Sequence, residues 1–96
     1  MTRRWTFLSN HGLVFLAVAR DPTATQREIA DAVGITERAA QRLIADLVDA
    51  GYLRKIAEGR RNRYEIATEA PLRHPLNSEN DISELLGLLG TPGRKG

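Results

Sequence analysis

Apolar and small residues recur at intervals of three and four through most of this 96-residue chain, which is the spacing of amphipathic helices. The most informative window is 26–45, where two such stretches are separated by a glycine. Two helices that cross at a tight turn need small side chains at the crossing and a residue that accepts positive φ in the turn. Ala30, Ala40 and Gly34 occupy these positions. The pattern therefore predicts a helix-turn-helix.

A further helix is predicted before this window, over about residues 9–20. Ser9 or Asn10 can cap its start, and Pro22 pushes the preceding residue out of the α region, which ends it. Residues 13–19 are apolar on all sides of the helix, not on one stripe. Such a helix is normally covered on more than one side, so we expect a second cover besides the domain's own core.

The two helices of the window have clear local signals at their ends. Thr25 and Glu28 have the spacing of a capping box at the start of the second helix, and Gly34 ends it. Thr36 can cap the third helix, which we expect to end at Gly51, the residue favoured in a left-handed terminus.

Two segments after the third helix, 52–58 and 63–67, have strand character, and residues 59–62 between them are predicted as a hairpin loop. The net charge of +2 is too small to indicate a nucleic-acid partner, but the charge is unevenly distributed. The basic residues of this hairpin are Arg54, Lys55, Arg60, Arg61 and Arg63. Segment 64–90 is mainly acidic. A basic cluster is often only a solvated surface, but its position beside a helix-turn-helix favours a functional interpretation.

The remainder of the chain predicts one more helix. Residues 68–77 show no helical or strand period and are interpreted as a connector, whereas 78–90 form an amphipathic helix that Ser78, Asn80 or Asp81 can cap. Segment 91–96 has nothing to bury and is expected to be a disordered tail, and 1–8 is an apolar N-terminal arm. The predicted fold class is mainly α with a small β-hairpin: a winged helix-turn-helix over 9–67 with three helices, a two-stranded wing and a C-terminal helix.

Several function classes lack support in the sequence. The chain has no cysteine, so disulfides and cysteine-based metal sites are excluded. His11 and His74 lie in unlike contexts, without a nucleophile or carboxylate pair at informative spacing, and no phosphate-binding glycine loop is present. We expect no catalytic residue, no metal and no cofactor. The chain also lacks an apolar run of bilayer length and a signal-peptide pattern, so a cytoplasmic protein without membrane contact is expected.

This order of elements resembles the winged helix-turn-helix regulators of the MarR and ArsR kind, small bacterial transcription factors, over about residues 9–67. The residues that carry the resemblance are Gly34, Ile35, Thr36, Arg42, Leu43, Ile44, Leu47, Ala50, Gly51, Tyr52 and Leu53, with the wing tip Gly59, Arg60, Arg61, Asn62, Arg63 and Tyr64. Two features depart from these families. The chain has no room for the long flanking dimerisation helices of full MarR-type proteins, and the cysteine sites of ArsR-type metal sensors have no counterpart.

The resemblance implies a sequence-specific regulator that binds double-stranded DNA. The third helix would enter the major groove, where arginine can bond guanine and glutamine can bond adenine, and the wing would lie along the backbone or in the minor groove. The candidate DNA-binding residues are Thr25, Gln26, Thr36, Arg38, Gln41, Arg42, Arg60, Arg61 and Arg63. For each arginine the alternative is a solvated charge paired with a neighbouring carboxylate, and for Thr25 it is a simple cap. The alternative function is a winged-helix module that binds proteins and no DNA.

Both chain ends carry apolar residues that one small core cannot easily bury, and this predicts a homodimer. The candidate interface residues are Trp5, Phe7, Leu8, Phe15, Ile82, Leu85, Leu86 and Leu89. A two-fold dimer would set the recognition helices roughly 34 to 36 Å apart and so predicts a palindromic operator. The alternative is a monomer whose last helix folds back on its own first helix.

Overall fold

The computed structural model describes residues 6–58 and 61–89. Its elements are α1 (Asn10–Arg20), α2 (Gln26–Val33), α3 (Glu37–Asp49), β1 (Leu53–Glu58), β2 (Arg61–Ile66), a 3₁₀ turn (Pro75–Asn77) and α4 (Ile82–Leu89). The prediction of a mainly helical fold with one small antiparallel hairpin is confirmed. Trp5, Gly59, Arg60 and the tail 91–96 lie outside the described residues.

Each of the first three helices begins at a hydroxyl cap. The Ser9 hydroxyl accepts from the amide of Gly12 at 3.2 Å, and the Thr36 hydroxyl accepts from the third helical amide of α3 at 3.0 Å. The predicted capping box is present, because Glu28 N–H donates to the Thr25 hydroxyl at 3.1 Å and Thr25 N–H donates to the Glu28 carboxylate at 2.9 Å. These bonds use amides that the helix itself leaves unpaired, so the helix starts are set locally.

The core lies where α1, α2 and α3 pack together. Val14 and Val18 of α1 are fully buried, and Ala30 and Ala40 are almost fully buried where α2 and α3 meet. The turn between those two helices contains Gly34 at φ +88°, a conformation that costs other residues energy. The small residues at the helix crossing thus hold α3 close to α2, as the sequence predicts.

The register of the hairpin corrects the predicted loop. Glu58 pairs with Arg61, and Ala57 pairs with Asn62. Arg61 and Asn62 are therefore strand residues, and the connection contains only residues 59 and 60. The amide of Tyr64 in β2 donates to the carbonyl of Pro22 at 3.3 Å, which attaches the wing, residues 53–66, to the α1–α2 loop.

The C-terminal part of the described chain folds back onto the core. The predicted connector contains the 3₁₀ turn, at which His74 Nδ1 accepts from the amide of Leu76 at 3.0 Å. Helix α4 begins at Ile82, and of the three possible caps in the sequence Asp81 is the one that is used. Its carboxylate accepts from the amide of Glu84, and its own amide donates to the Glu84 carboxylate, both at 3.0 Å. Within residues 6–58 and 61–89, no helix combines the length and apolar character needed to cross a bilayer.

Candidate nucleic-acid interface

Helix α3 has one buried face and one polar face. Ala40, Leu43, Ile44 and Leu47 point into the core. Arg38, Gln41 and Arg42 are exposed and have the spacing i, i+3 and i+4, so they share one side of the helix in its first turns. We call these three residues the recognition face. Thr36 is also exposed at the start of α3, where its hydroxyl is used for capping.

The side chains of the recognition face are not engaged in ion pairs with the rest of the described chain. Asp46, one turn after Arg42, instead bonds His11 of α1, with 2.8 Å between Nε2 and Oδ2. Neither Arg38 nor Arg42 forms an ion pair with any described carboxylate. The interpretation of these arginines as charges paired within the protein therefore finds no support here. Their guanidinium groups are available to an external acceptor.

The start of α2 presents a second polar surface. Thr25 is exposed and Gln26 is half-buried. The Thr25 hydroxyl is occupied by the amide of Glu28, so its role as a cap is established. The first two amides of the helix, at Gln26 and Arg27, have no acceptor in a preceding turn, which is the arrangement that binds anions at helix N-termini.

The wing is less uniformly basic than the sequence indicates. Arg54 lies opposite Glu65 in the ladder, and Arg54 Nε is 3.5 Å from Glu65 Oε1. The Glu65 carboxylate thus partly neutralises Arg54, one of the five basic residues of the hairpin. This pair could not be predicted before the register of β1 and β2 was known. Arg63 is half-buried and lies opposite Ile56, while Arg61 lies in β2 opposite Glu58. Arg60 is outside the described residues.

The candidate contact segments belong to one packed unit. Helix α2 packs on α3, and α3 packs on β1. The start of α2, the recognition face and the wing are therefore held by a common core. The His11–Asp46 bond adds a polar connection between α1 and α3. It was not predicted from the sequence, because 35 residues separate the two partners and neither lies in a motif.

The predicted dimer residues differ in how far they are buried within the single chain. Phe15, Ile82 and Leu86 are buried in the core of the single chain, so their burial requires no partner. Leu8, Leu85 and Leu89 are half-buried and remain partly available. Phe7 is 94% exposed, and Leu88, on the same helix as Leu85 and Leu89, is 82% exposed. Trp5 is outside the described residues.

Among the described residues, no three histidine or acidic side chains converge in a way that could hold a metal ion.

Comparison with protein-family models gives a match that covers more than half of the chain. Residues 6–63 match the model of the MarR family. A comparison with curated proteins found no match. The matched range contains α1 to α3, β1 and the first half of β2, which is the winged-helix arrangement up to the middle of the second wing strand. Members of the family are transcription regulators and not enzymes. The chain therefore belongs to the MarR family of winged helix-turn-helix transcription regulators.

Proposed function

We propose that this protein is a sequence-specific, double-stranded DNA-binding regulator that acts as a homodimer in the cytoplasm and has no catalytic activity. One observation carries the proposal. The recognition face consists of Arg38, Gln41 and Arg42 on one side of an exposed helix, and no described carboxylate pairs with either arginine. A helix that offers unpaired guanidinium and amide groups is suited to the edges of base pairs.

In the proposed complex α3 lies in the major groove. The groove is about 12 Å wide and admits one helix. Arginine side chains donate two hydrogen bonds to guanine O6 and N7, and glutamine bonds adenine N6 and N7, so the recognition face reads sequence. Thr36 lies at the N-terminal end of α3, which enters the major groove first. Residues at this end of a recognition helix reach bases or phosphates.

Phosphate contacts fix the position of that helix. The amides at the start of α2 and the arginines of the wing, Arg60, Arg61 and Arg63, meet the backbone on either side of the groove, and an arginine of the wing tip can enter a narrow minor groove. Because Arg54 is paired with Glu65 across the hairpin, we expect it to contribute less to phosphate binding than its position in the sequence indicates.

The dimer forms through exposed apolar residues near α4 and the start of α1. Phe7 and Leu88 are largely exposed. Leu8, which follows Phe7, is half-buried, and so are Leu85 and Leu89 on the same helix as Leu88. Exposed apolar patches usually mark interfaces, and regulators of this family typically act as dimers. A two-fold arrangement binds a palindromic operator with half-sites roughly 34 to 36 Å apart.

Selection of bound sequences from random duplex DNA tests the proposal directly. We expect enrichment of one palindromic motif whose half-sites are about one helical turn apart. Failure to enrich any sequence, with retained binding to all duplexes, would contradict sequence-specific recognition. No binding at all would favour the alternative of a protein-binding winged helix, which the polar recognition face does not favour.

A further inference from the structure

An apolar cleft lies between α1 and α4. Its volume is about 150 Å³, and its walls include Phe15, Leu16, Ile82, Leu85 and Leu89. In other proteins, apolar cavities of about 150 Å³ bind benzene. The cleft is therefore large enough for one phenyl ring.

Helix α1 places a glycine in the wall of this cleft. Gly12 lies in the first turn of α1 and lines the cleft together with Leu8. A Cβ built on Gly12 would be 3.4 Å from the Cβ of Leu8, which is ordinary van der Waals contact. The backbone thus tolerates a side chain at this position, and a large one would occupy part of the cleft. Because glycine has none, the cleft stays open here to the close approach of another group.

Phe7, which directly precedes the cleft residue Leu8, is held outside the cleft. The Thr6 hydroxyl donates to the Leu8 carbonyl at 2.6 Å across a bend at residues 7 and 8. The Ser9 hydroxyl accepts from the amide of Gly12 at 3.2 Å, which fixes the start of α1 directly after the bend. Phe7 lies between these two hydrogen bonds and is 94% exposed. Its ring is therefore preorganised for contact with another molecule.

One protomer thus carries both an exposed phenyl ring and a cleft of matching size. In a two-fold dimer the same patch of both protomers meets, so residue i of one contacts residue j of the other and the reverse. Because Phe7 and Leu8 are adjacent in the chain, a two-fold axis beside them brings each ring to the cleft of the other protomer. A small apolar ligand in the cleft would leave Phe7 in water, whereas a second copy covers the ring and the cleft together.

Given the dimer of the proposed function, we propose that the Phe7 ring of each protomer enters the apolar cleft of the other. The half-buried side chains of Leu8, Leu85 and Leu89 line the cleft, so the ring covers surface that the single chain leaves partly exposed. Leu88, which precedes Leu89 in α4, adds exposed apolar surface next to it. Two equivalent contacts therefore hold the dimer together.

Sedimentation equilibrium without DNA measures the dimer dissociation constant of the full chain and its variants. Phe7→Ala removes both rings, and Gly12→Leu fills both clefts. Each variant should raise the dissociation constant at least a hundredfold, because two buried rings are lost and each contributes roughly tenfold or more. Leu76→Ala is the matched control, since Leu76 is 89% exposed but does not line the cleft, and it should leave the constant unchanged. Circular dichroism checks that all variants are folded.

Mixing the two variants separates exchange between protomers from a contact within one chain. Phe7→Ala retains the cleft and Gly12→Leu retains the ring, so a mixed dimer has one ring in one cleft whereas neither homodimer has any. We expect the mixed dimer to form at least tenfold more tightly than either homodimer. Leu85→Trp, which also fills the cleft, replaces Gly12→Leu if that variant is not folded.

Two results would overturn the contact between ring and cleft and leave the proposed dimer standing. The first is a Phe7→Ala dimer as stable as that of the original protein, and the second is a mixture without a preferred mixed dimer. A monomeric original protein would overturn the dimer itself and the contact with it. None of these results bears on DNA recognition, because no DNA is present.

Discussion

Individual side chains on α3 and at its start perform separable tasks in the proposed complex. Arg38, Gln41 and Arg42 point away from the core, so their replacement removes contacts without leaving a cavity. Thr36 is different, because its hydroxyl already caps the helix. Substitutions at these positions should therefore divide into effects on recognition and effects on stability.

Arg38→Ala and Gln41→Ala should relax the preference for particular bases, at a cost of about 1 to 3 kcal/mol each on the selected operator. Arg63→Ala should weaken binding to operator and random duplex alike, because a phosphate contact carries no sequence information. Fluorescence anisotropy on both duplexes measures these effects, with Arg20→Ala as the exposed control. Equal losses on operator and random DNA from the α3 variants would show that the recognition face does not read bases.

Thr36→Ala should lower the free energy of unfolding by roughly 0.5 to 2 kcal/mol, because the amide of Ala39 loses its acceptor. Thr36→Ser keeps a hydroxyl at the cap and should stay close to the original protein. Urea denaturation followed by circular dichroism compares the two. A Ser variant as unstable as the Ala variant would mean that the lost methyl group matters and the cap does not.

At the scale of elements, α4 contributes to the core of its own chain. Ile82 and Leu86 are buried among residues of the core, while Leu88 on the same helix is 82% exposed. Deleting the helix would therefore disturb folding as well as any dimer. Single substitutions on its two faces separate the two roles.

Leu86→Ala should lower the free energy of unfolding by about 2 to 5 kcal/mol, since it leaves a cavity in the core. Leu88→Ala should change the stability of the protomer by less than about 0.5 kcal/mol, because the side chain packs against little of its own chain. Denaturation at low protein concentration, where a dimer contributes least, gives both values. Similar losses for the two variants would mean that α4 is not seated on the core as described.

At the scale of the whole molecule, the remaining question is which surface meets a second copy. The burial of Phe15, Ile82 and Leu86 leaves Phe7 and Leu88 as the most exposed apolar residues near the proposed interface. A dimer formed through Phe7 and Leu88 would use the surface of a protomer that is already folded. Helix α4 would therefore not have to leave the core of its own chain.

Leu88→Glu should therefore convert the dimer to a folded monomer, because a buried unpaired carboxylate is costly at an apolar interface. Leu76→Glu is the matched control, since Leu76 is 89% exposed but lies in the 3₁₀ turn. Light scattering at tens of micromolar measures the mass. Finding the unmodified protein monomeric at that concentration, or the Leu88→Glu variant still dimeric, would refute the proposed interface.

Salt provides a second test of the whole assembly. If two protomers neutralise about six to ten phosphates, affinity should fall roughly 10³ to 10⁵ fold between 50 and 200 mM salt. Titrations of operator DNA at several salt concentrations give the slope. A complex insensitive to salt would contradict the phosphate contacts assigned to the wing and to α2.

Features that depend on neighbouring residues can be predicted directly from the sequence. The hydroxyl caps at Ser9, Thr25 and Thr36 each accept from an amide three residues further along the chain. The positive φ of Gly34 is likewise a local property, because it depends on the residue type at that position. Helix ends, the helix-turn-helix and the outward position of the recognition face were therefore predictable, as was the family, because its most specific residues lie in this stretch.

Features that depend on residues far apart in the chain become visible in the folded structure alone. The hairpin register pairs Arg54 with Glu65 and moves Arg61 into a strand, and His11 meets Asp46 across 35 positions. The packing of α4 on the core of its own chain also depends on residues distant in sequence. An apolar stripe indicates that one face of a helix is buried, but it does not indicate against which surface.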